Sequence, residues 1–343
     1  MTPSLSPDAG TPASRFLVTG ASGFIGQHLC RHLLEAGHRV RAVVSSRERG
    51  EHLRQVLQAP PGLELTHMEH SCTDPAPWLN ACTQVQAVIH LAGRAHQADK
   101  NLPNALQTYR RANVEPTRAL ACAARQAGVN RLLFLSSVAV YGCNSTAAPF
   151  TENSPTKPVD PYAISKLEAE RLLLQEMEIS PMEVCIVRPP LVHGPGVKGN
   201  MLTLLNLVCR GLPLPLGAIR NRRSLVGIGN LSTFLTHAAG HPQATGKILL
   251  VADAQEVSTP ELIATIAREL GQKPRLLHLP PGLLRSVSTL LGKREAYNKV
   301  GGDFRIDPSL SYRQLDWHPP EDLSTGIAAM CAWYKENRGR QAT

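Results

Sequence analysis

Three kinds of sequence feature are scarce or missing in this chain, and each absence excludes a class of protein. Aromatic residues make up only 4% of the 343 residues, which argues against recognition of nucleic acid by base stacking. No apolar run approaches the roughly 18 residues that a membrane-spanning helix needs. Residues 1–14 lack the basic start and apolar core of a secretion signal, so we expect a disordered tail there.

The eight cysteines contain no Cys-x-x-Cys pair, and several of them lie inside apolar runs. This usage is typical of reduced, mostly buried thiols, and it predicts a cytoplasmic protein. His28 and His32 are four residues apart on a predicted helix, but no third ligand is evident. We therefore expect no metal site.

The net charge is +9, and the basic residues are dispersed except for one group at Arg220, Arg222 and Arg223. A dispersed excess is typical of a solvated surface, whereas a local cluster more often binds a phosphate group than nucleic acid. The charge therefore favours a phosphate-bearing small molecule as the partner.

A glycine-rich turn follows a short apolar strand at 16–19 and precedes a helical pattern at 27–36. In such a turn Gly20 permits the tight bend, Gly23 lets backbone N–H groups approach a pyrophosphate, and Gly26 lets the helix pack close to the strand. The spacing is GxxGxxG rather than GxGxxG, but the strand–turn–helix context predicts dinucleotide binding over an ordinary turn.

The second predicted strand, 40–44, is followed by Ser45, Ser46 and Arg47. Sites that prefer NAD usually carry a carboxylate here for the ribose 2′-hydroxyl. Serine and arginine suit a 2′-phosphate instead, which favours NADP(H) over NAD(H), although Arg47 would also serve as a solvated loop residue.

Strands and helices alternate through the first 190 residues, which predicts an α/β fold with a parallel sheet covered on both faces and ligands at the carboxyl ends of its strands. The further strands are expected at 63–68, 85–91, 132–135 and 184–187, and a helix at about 103–127. Beyond 190 the chain is richer in Gly and Pro. We therefore expect a cofactor domain at 15–190 and a smaller C-terminal α/β substrate domain at 191–343.

Tyr162 and Lys166 are four residues apart in a strongly helix-forming stretch, so they share one helix face. An ammonium group beside a phenol stabilises the phenolate and lowers the tyrosine pKa from about 10 toward neutral pH. The pair therefore predicts acid/base chemistry.

Four motifs together resemble those of the extended short-chain dehydrogenase/reductase family, in its nucleotide-sugar epimerase/dehydratase branch. They are the turn from Thr19 to Gly26, the run His90-Leu91-Ala92-Gly93, the run from Ser136 to Gly142, and the pair Tyr162 and Lys166. The resemblance covers about 15–335 and implies a Rossmann-type doubly wound sheet.

The resemblance also implies roles for individual residues. Tyr162 would be the acid/base, Ser137, 25 residues before it, would hydrogen-bond the reacting oxygen, and Lys166 would hold the nicotinamide ribose. Cofactor contacts are implied for Gly20, Ser22, Gly23, Phe24, Ile25, Gly26, Arg47, Leu91, Ala92, Gly93, Tyr162, Lys166 and Pro189. Substrate contacts are implied for Ser137, Tyr162, Asn200 and Arg223, and a structural role for Asn113.

Departures from the family pattern reduce the number of family reactions that the sequence fits. Arg188-Pro189-Pro190-Leu191 replaces the Tyr-Phe-Asn run of UDP-galactose epimerases, and Val138-Ala139 replaces the Asp-Glu pair of dehydratases. The chain most resembles the subgroup that acts on UDP-N-acetyl-hexosamines in surface-polysaccharide synthesis, which implies a C4 reductase forming UDP-N-acetyl-quinovosamine. A 4-epimerase with tightly bound NAD remains the alternative, and a non-catalytic NADP-binding sensor a distant one.

The resemblance further implies a homodimer that pairs the helices at 103–127 and 161–178 of each subunit. The apolar stretch at 280–291 contains one basic residue, Arg285. It is interpreted as a packed helix of the substrate domain, with peripheral contact to a membrane as the alternative.

Overall fold

The computed structural model describes residues 14–69, 71–95, 104–145, 148–290, 292 and 294–338. The expected tail therefore lies outside the described residues except for Ser14. The chain forms two compact units, of which the first is Met1–Ser137, Asp160–Arg188 and Ser232–Leu249, and the second is Val138–Val159, Pro189–Leu231 and Leu250–Thr343. A change of unit lies next to the boundary expected at 190, but two further stretches, 138–159 and 232–249, cross it.

The main sheet has seven strands in the order β3-β2-β1-β4-β5-β6-β9, and its first six strands are parallel. The strands of the chain are β1 (Arg15–Thr19), β2 (Arg39–Val44), β3 (Leu63–His67), β4 (Ala87–His90), β5 (Arg131–Leu135), β6 (Glu183–Arg188), β7 (Leu191–His193), β8 (Leu225–Gly227) and β9 (Ile248–Leu250). This order confirms the predicted Rossmann-type α/β class.

Thirteen α-helices are present in the described residues. They are α1 (Phe24–Glu35), α2 (Arg47–Val56), α3 (Pro75–Cys82), α4 (Ala105–Asn113), α5 (Glu115–Gln126), α6 (Pro161–Glu178), α7 (Gly199–Cys209), α8 (Ile228–Gly240), α9 (Thr259–Glu269), α10 (Pro281–Leu290), α11 (Arg294–Gly301), α12 (Ser309–Leu315) and α13 (Leu323–Asn337). No helix of this described part has both the length and the apolar character to cross a membrane.

The prediction of one continuous helix at about 103–127 is wrong, because two helices, α4 and α5, occupy this stretch. Pro116 lies in the first turn of α5, and proline has no backbone N–H to continue the ladder from the preceding helix. The Asn113 carbonyl at the break instead accepts a hydrogen bond from the Thr117 hydroxyl at 2.6 Å. The proline therefore turns one long helix into two.

The register of the sheet places the carboxyl ends of its central strands side by side. Thr19 at the end of β1 lies opposite Val43 of β2 and His90 at the end of β4. His90 in turn lies opposite Phe134 of β5. Residues that follow these four strands therefore meet at one edge of the sheet.

The core of the first unit is continuous and apolar. Leu17, Val88, Leu132 and Phe134 from the strands and Leu120 from α5 are fully buried within it. All eight cysteines are free. The parallel strands are buried on both faces, which explains their continuous apolar runs in the sequence.

The second unit contains the short parallel pair β7–β8 and the helices α7, α9 and α13, with α7 and α13 both packed on α9. A buried carboxylate joins its parts. Asp253 accepts hydrogen bonds at 2.8 Å from the Gly227 amide and from Asn230, and its second oxygen lies 2.7 Å from His193 Nε2. These bonds satisfy a charge that would be costly to bury alone.

Candidate active site

The glycine turn packs tightly against the backbone around it. Gly20 has a φ of +67°, and a Cβ there would lie 2.9 Å from the backbone nitrogen of Ala92. A Cβ on Gly26 would lie 2.2 Å from the Gly20 carbonyl oxygen. Gly23 is the N-cap of α1 and supplies no side chain to satisfy the first amides of the helix. This cradle fits the pyrophosphate of a dinucleotide.

A pocket in the first unit continues from this turn along the ends of β1, β2 and β4. Its lining residues are Thr19, Gly20, Val43, Val44, Ser45, Met68, Glu69, Trp78, His90, Ala92, Ala112 and Pro116. Glu69 brings an exposed carboxylate to this pocket from the loop after β3, which the sequence analysis did not single out.

The residues expected to choose between NAD and NADP separate in the structure. Ser45 lines the pocket. The Ser46 hydroxyl instead caps α2 by accepting a hydrogen bond from the Arg49 amide at 3.3 Å. Arg47 is exposed in the first turn of α2. Ser45 and Arg47 thus remain candidates for binding a 2′-phosphate.

Helix α6 begins so that Tyr162 stands in its first turn. The Asp160 carboxylate caps the helix by accepting a hydrogen bond from the Ala163 amide at 2.9 Å, and Pro161 occupies the first helical position. Ser137, which follows β5, hydrogen-bonds to the Tyr162 side chain and favours its charged form. The structure therefore brings the expected serine and tyrosine together.

The electrostatics of Tyr162 differ from the expectation. The pKa of Tyr162 is raised to about 12, chiefly by burial; the Ser137 hydrogen bond lowers it, and Asp160 and Tyr109 add smaller increases. Lys166 is not among the groups that shift it. The expectation that Lys166 lowers this pKa is therefore not met in this structure, because burial outweighs any stabilisation of the phenolate.

Lys166 itself is 3% exposed. Burial lowers its pKa to about 7, while the Glu170 carboxylate acts in the opposite direction. Its Nζ lies 4.0 Å from the centre of the Phe134 ring. A Cβ on Gly93 would lie 3.8 Å from this nitrogen, so Gly93 leaves room beside the ammonium. Such a lysine is placed to donate to a bound ligand that runs past Gly93.

A bidentate ion pair one turn beyond Lys166 was missed by the sequence analysis. Arg188 Nε lies 2.9 Å and its terminal nitrogen 2.5 Å from the two carboxylate oxygens of Glu170, and both side chains are almost completely buried. The spacing places Tyr162, Lys166 and Glu170 on one helix face at four-residue intervals, but it does not point to Arg188 as the partner. Glu170 thus places a paired negative charge behind the lysine.

Asn113 connects the loop after β4 to the start of α6. Its side-chain oxygen accepts a hydrogen bond from the Arg94 amide at 2.7 Å, and its amide donates to Ser165 Oγ at 2.9 Å. Ser165 in turn donates to the Tyr162 carbonyl oxygen at 2.8 Å. The structural role expected for Asn113 thus has a specific form, which is to hold the backbone of Tyr162.

His90 extends this network to the glycine turn. Its Nε2 lies 2.9 Å from Thr117 Oγ1, and its Nδ1 lies 2.6 Å from Thr19 Oγ1. Thr117 donates its proton to Asn113, so it accepts from a protonated Nε2. Nδ1 then accepts from Thr19, whose oxygen accepts from the Ala92 amide at 3.1 Å. Burial lowers the pKa of His90 to about 3, which keeps the ring neutral.

Three further candidate residues lie in the second unit. Pro189 accepts a hydrogen bond from the Val138 amide at 3.1 Å. Asn200 is exposed in the first turn of α7. Arg223 is partly buried, burial lowers its pKa, and one of its nitrogens donates to the Gly302 carbonyl at 3.2 Å. Arg222 differs, because it forms an exposed ion pair with Glu261 at 3.1 Å.

The sequence of residues 16–252 matches the model of the NAD dependent epimerase/dehydratase family. The chain belongs to this family. It is 35% identical to a UDP-glucose 4-epimerase from Vibrio cholerae over 316 residues, which are 91% of this chain and 92% of the relative. It is also 30% identical to the N-acetyl-alpha-D-glucosaminyl-diphospho-ditrans,octacis-undecaprenol 4-epimerase of Escherichia coli O157:H7, over 60% of this chain and 64% of that protein.

A solved structure supports the same assignment. The dTDP-glucose 4,6-dehydratase of Streptomyces venezuelae, solved with NAD bound, superposes with a TM-score of 0.77 and 25% identity over 95% of this chain and 98% of that chain. The family member described here is therefore an enzyme that acts on sugar nucleotides.

The Tyr162 hydroxyl is expected to be needed for turnover but not for binding of the dinucleotide. General acid/base groups contribute roughly 10²- to 10⁴-fold to rate, so Tyr162→Phe should lower kcat by about that factor. Tyr334→Phe is the matched control, since it removes a tyrosine hydroxyl of the second unit, which donates to Asn206 Oδ1 at 2.6 Å. Steady-state kinetics and calorimetric titration of cofactor separate the two effects, and wild-type turnover by Tyr162→Phe would contradict the role.

Removal of the Glu170 charge is expected to shift the pH dependence of the enzyme. Glu170 raises the pKa of Lys166, so in Glu170→Gln that pKa falls and the charged lysine is lost at lower pH. The alkaline limb of the kcat/KM profile should then move to lower pH. Glu168→Gln, which removes a half-exposed carboxylate of the same helix, should leave the limb in place.

A purely structural role for Glu170 would give a different result. Loss of one partner of a buried ion pair costs roughly 3–5 kcal/mol, so circular dichroism must first establish that the variant is folded at the assay temperature. Lower activity with an unshifted profile would contradict the electrostatic role. The double variant Glu170→Gln/Arg188→Met removes the unpaired charge and keeps the test available if the single variant unfolds.

Proposed function

We propose that this enzyme transfers hydride at C4 of a UDP-linked N-acetyl-hexosamine, as an NAD(P)H-dependent reductase of a 4-keto-6-deoxy sugar. The observation that carries the proposal is the hydrogen bond between Ser137 and Tyr162, with Lys166 one turn along the same helix. The product would be UDP-N-acetyl-quinovosamine, used in surface-polysaccharide synthesis.

Reduction of a ketone needs a proton donor at the carbonyl oxygen. Tyr162 has its pKa raised to about 12, so the phenol is protonated at neutral pH and has a proton to give. A reduced nicotinamide supplies the hydride when it is bound. Ser137 orients the same oxygen and stabilises the charge that develops on it. The protonated state of Tyr162 thus supports the reducing direction.

The charge of Lys166 assists this transfer. Its ammonium group lies in a buried position, where the attraction to a developing phenolate is stronger than in water. Glu170 and Arg188 hold the helix face that carries Lys166. We propose that Lys166 binds the nicotinamide ribose and that its ammonium group stabilises the Tyr162 phenolate left after proton donation, until water reprotonates the phenolate.

The remaining roles concern binding. We propose that Gly20, Gly23 and Gly26, with the amides of Ser22, Phe24 and Ile25, hold the cofactor pyrophosphate, and that Leu91, Ala92, Gly93 and Pro189 contact the cofactor. Arg223 and Asn200 are proposed to hold the substrate diphosphate. The partly buried guanidinium of Arg223 suits this role, because a charged donor binds an anion more strongly away from water.

A 4-epimerase is the second candidate, and the Vibrio cholerae relative named UDP-glucose 4-epimerase favours it. The same three side chains would serve, but Tyr162 would first take the C4 hydroxyl proton and later return it. That direction needs a phenolate, and the raised pKa of Tyr162 disfavours it. A non-catalytic cofactor sensor is a distant third candidate, because Ser137, Tyr162 and Lys166 are all retained.

We also propose that two copies pair through the helices α5 and α6. A groove on this face of the first unit is lined by three arginines, two glutamates and three uncharged residues. They are Arg110, Arg118, Arg171, Glu115, Glu168, Val114, Leu172 and Gln175. Such alternation suits a two-fold contact, in which each patch meets a copy of itself.

The cofactor that leaves the purified enzyme distinguishes the two reactions. We expect a readily dissociating cofactor, stoichiometric oxidation of NAD(P)H with a UDP-4-keto-6-deoxy-N-acetylhexosamine, and no interconversion of UDP-N-acetylglucosamine with its C4 epimer. Denaturation followed by chromatography identifies the cofactor. Tightly bound NAD and epimer formation without net redox change would contradict the reductase and support the epimerase.

Arg47 is expected to favour NADPH. A hydrogen bond to a charged group contributes roughly 1.5–3 kcal/mol, so Arg47→Ala should weaken NADPH binding by about 10- to 100-fold and leave NADH binding nearly unchanged. Arg49→Ala removes an exposed arginine of the same helix and serves as the control. Equal losses for both cofactors would show that Arg47 does not read the 2′-phosphate.

A further inference from the structure

Large apolar side chains that remain exposed are concentrated in one segment of the second unit. Nine such side chains are exposed among the described residues, and five of them fall between 277 and 300. They are Leu277, Leu279, Leu283, Leu290 and Val300. Leu290 at the end of α10 is 86% exposed. Single exposed apolar residues are ordinary, but this concentration within 24 residues of the sequence is the feature to be explained.

Helix α10 has the pattern of an amphipathic helix without the burial that normally accompanies it. Apolar residues of α10 occupy positions 283, 284, 287 and 290, which share one face of a helix, and the polar residues 285, 286, 288 and 289 lie between them. Leu284 is half-buried, while Leu283, Arg285 and Leu290 are exposed. Packing within its own unit therefore leaves Leu283 and Leu290 on the apolar face of α10 exposed to solvent.

The same segment holds more than half of the net positive charge of the chain. Residues 271–300 contain six of the 36 basic residues and one of the 27 acidic ones, so this stretch carries +5 of the total of +9. The basic residues are Lys273, Arg275, Arg285, Lys293, Arg294 and Lys299, and the acidic residue is Glu295. Of the basic residues whose side chains the structure describes, Lys273, Arg275 and Arg285 are exposed. Exposed apolar side chains in a segment that also presents positive charge are complementary to an anionic lipid surface.

The segment is fixed to the rest of its unit. Leu214 donates to the Arg275 carbonyl and accepts from the Leu277 amide, both at 2.8 Å, and the Gly217 amide donates to Leu277 at 3.0 Å. The Tyr297 hydroxyl of α11 donates to the Pro281 carbonyl at the start of α10 at 3.2 Å. These bonds hold α10 in place, so its apolar side chains stay presented outward.

We propose that the described residues of the segment 271–300, termed the α10 surface, dock on the surface of an anionic lipid bilayer. The apolar side chains of α10 would enter the boundary between headgroups and acyl chains, and the basic residues would remain beside the lipid phosphates. A second copy of the chain fits this surface less well, because pairing would bring two segments of charge +5 together. The proposal does not depend on which C4 reaction the enzyme performs.

Vesicle flotation with the full chain tests this docking. Wild-type protein is expected to float with vesicles of phosphatidylglycerol and phosphatidylethanolamine, and to stay behind with phosphatidylcholine alone. Binding should weaken between about 0.1 M and 1 M salt, since screening shortens from about 10 Å to 3 Å. Failure of the wild-type protein to bind the anionic vesicles at low salt would overturn the proposal.

Two variants and a matched control locate the contact. Leu283→Asp/Leu290→Asp should lower the apparent affinity for anionic vesicles on the order of 100-fold, because two leucine side chains lose their apolar burial. Arg285→Glu should lower it several-fold. Val159→Asp/Ile179→Asp makes the same chemical change at two exposed apolar positions outside the segment and should bind as wild type does.

Two readouts distinguish docking on a bilayer from misfolding and from self-association. All variants should retain wild-type turnover with a water-soluble nucleotide sugar, which establishes that they are folded. Equal vesicle binding by Leu283→Asp/Leu290→Asp and the wild type would overturn the proposal. Light scattering that shows this variant splitting a wild-type oligomer, without change in vesicle binding, would assign the surface to a second copy and overturn it as well.

Discussion

A buried chain of hydrogen bonds through His90 holds the two halves of the candidate site in one arrangement. It runs from the Ala92 amide through Thr19, His90 and Thr117 to Asn113, and from Asn113 through Ser165 to the Tyr162 backbone. Each donor in it has one acceptor, which fixes the histidine tautomer. Because this hydrogen-bond network lies in the protein interior, loss of one of its side chains would leave a buried polar group without its partner.

The charged groups of the site balance burial against pairing. Burial is the largest influence on both groups: the pKa of Lys166 is lowered to about 7 and that of Tyr162 is raised to about 12, so both are driven toward their neutral forms. Glu170 and Ser137 act against this tendency, one through charge and the other through a hydrogen bond. These two influences favour the charged form of each group and so make a change of protonation state easier than burial by itself would allow.

Much of the fold and of the site followed from local sequence. The three glycines are spaced for a turn that only a residue without Cβ permits, and Tyr162 and Lys166 share a helix face by spacing alone. The ion pair of Glu170 with Arg188 could not be located in this way, because Arg188 ends a strand 18 residues later. The break between α4 and α5 at Val114 was not predicted, because the residues on both sides of Pro116 favour a helix and a single proline does not always end one.

The sequence by itself determined the parallel α/β sheet, the glycine turn and the helix that carries Tyr162, since each depends on residues close together in the chain. The tertiary structure alone decided the proton states. Whether Tyr162 is a phenol or a phenolate depends on how deeply it is buried and on Ser137, Asp160 and Tyr109 around it. Burial is a property of the packed chain, so no spacing of residues reports it.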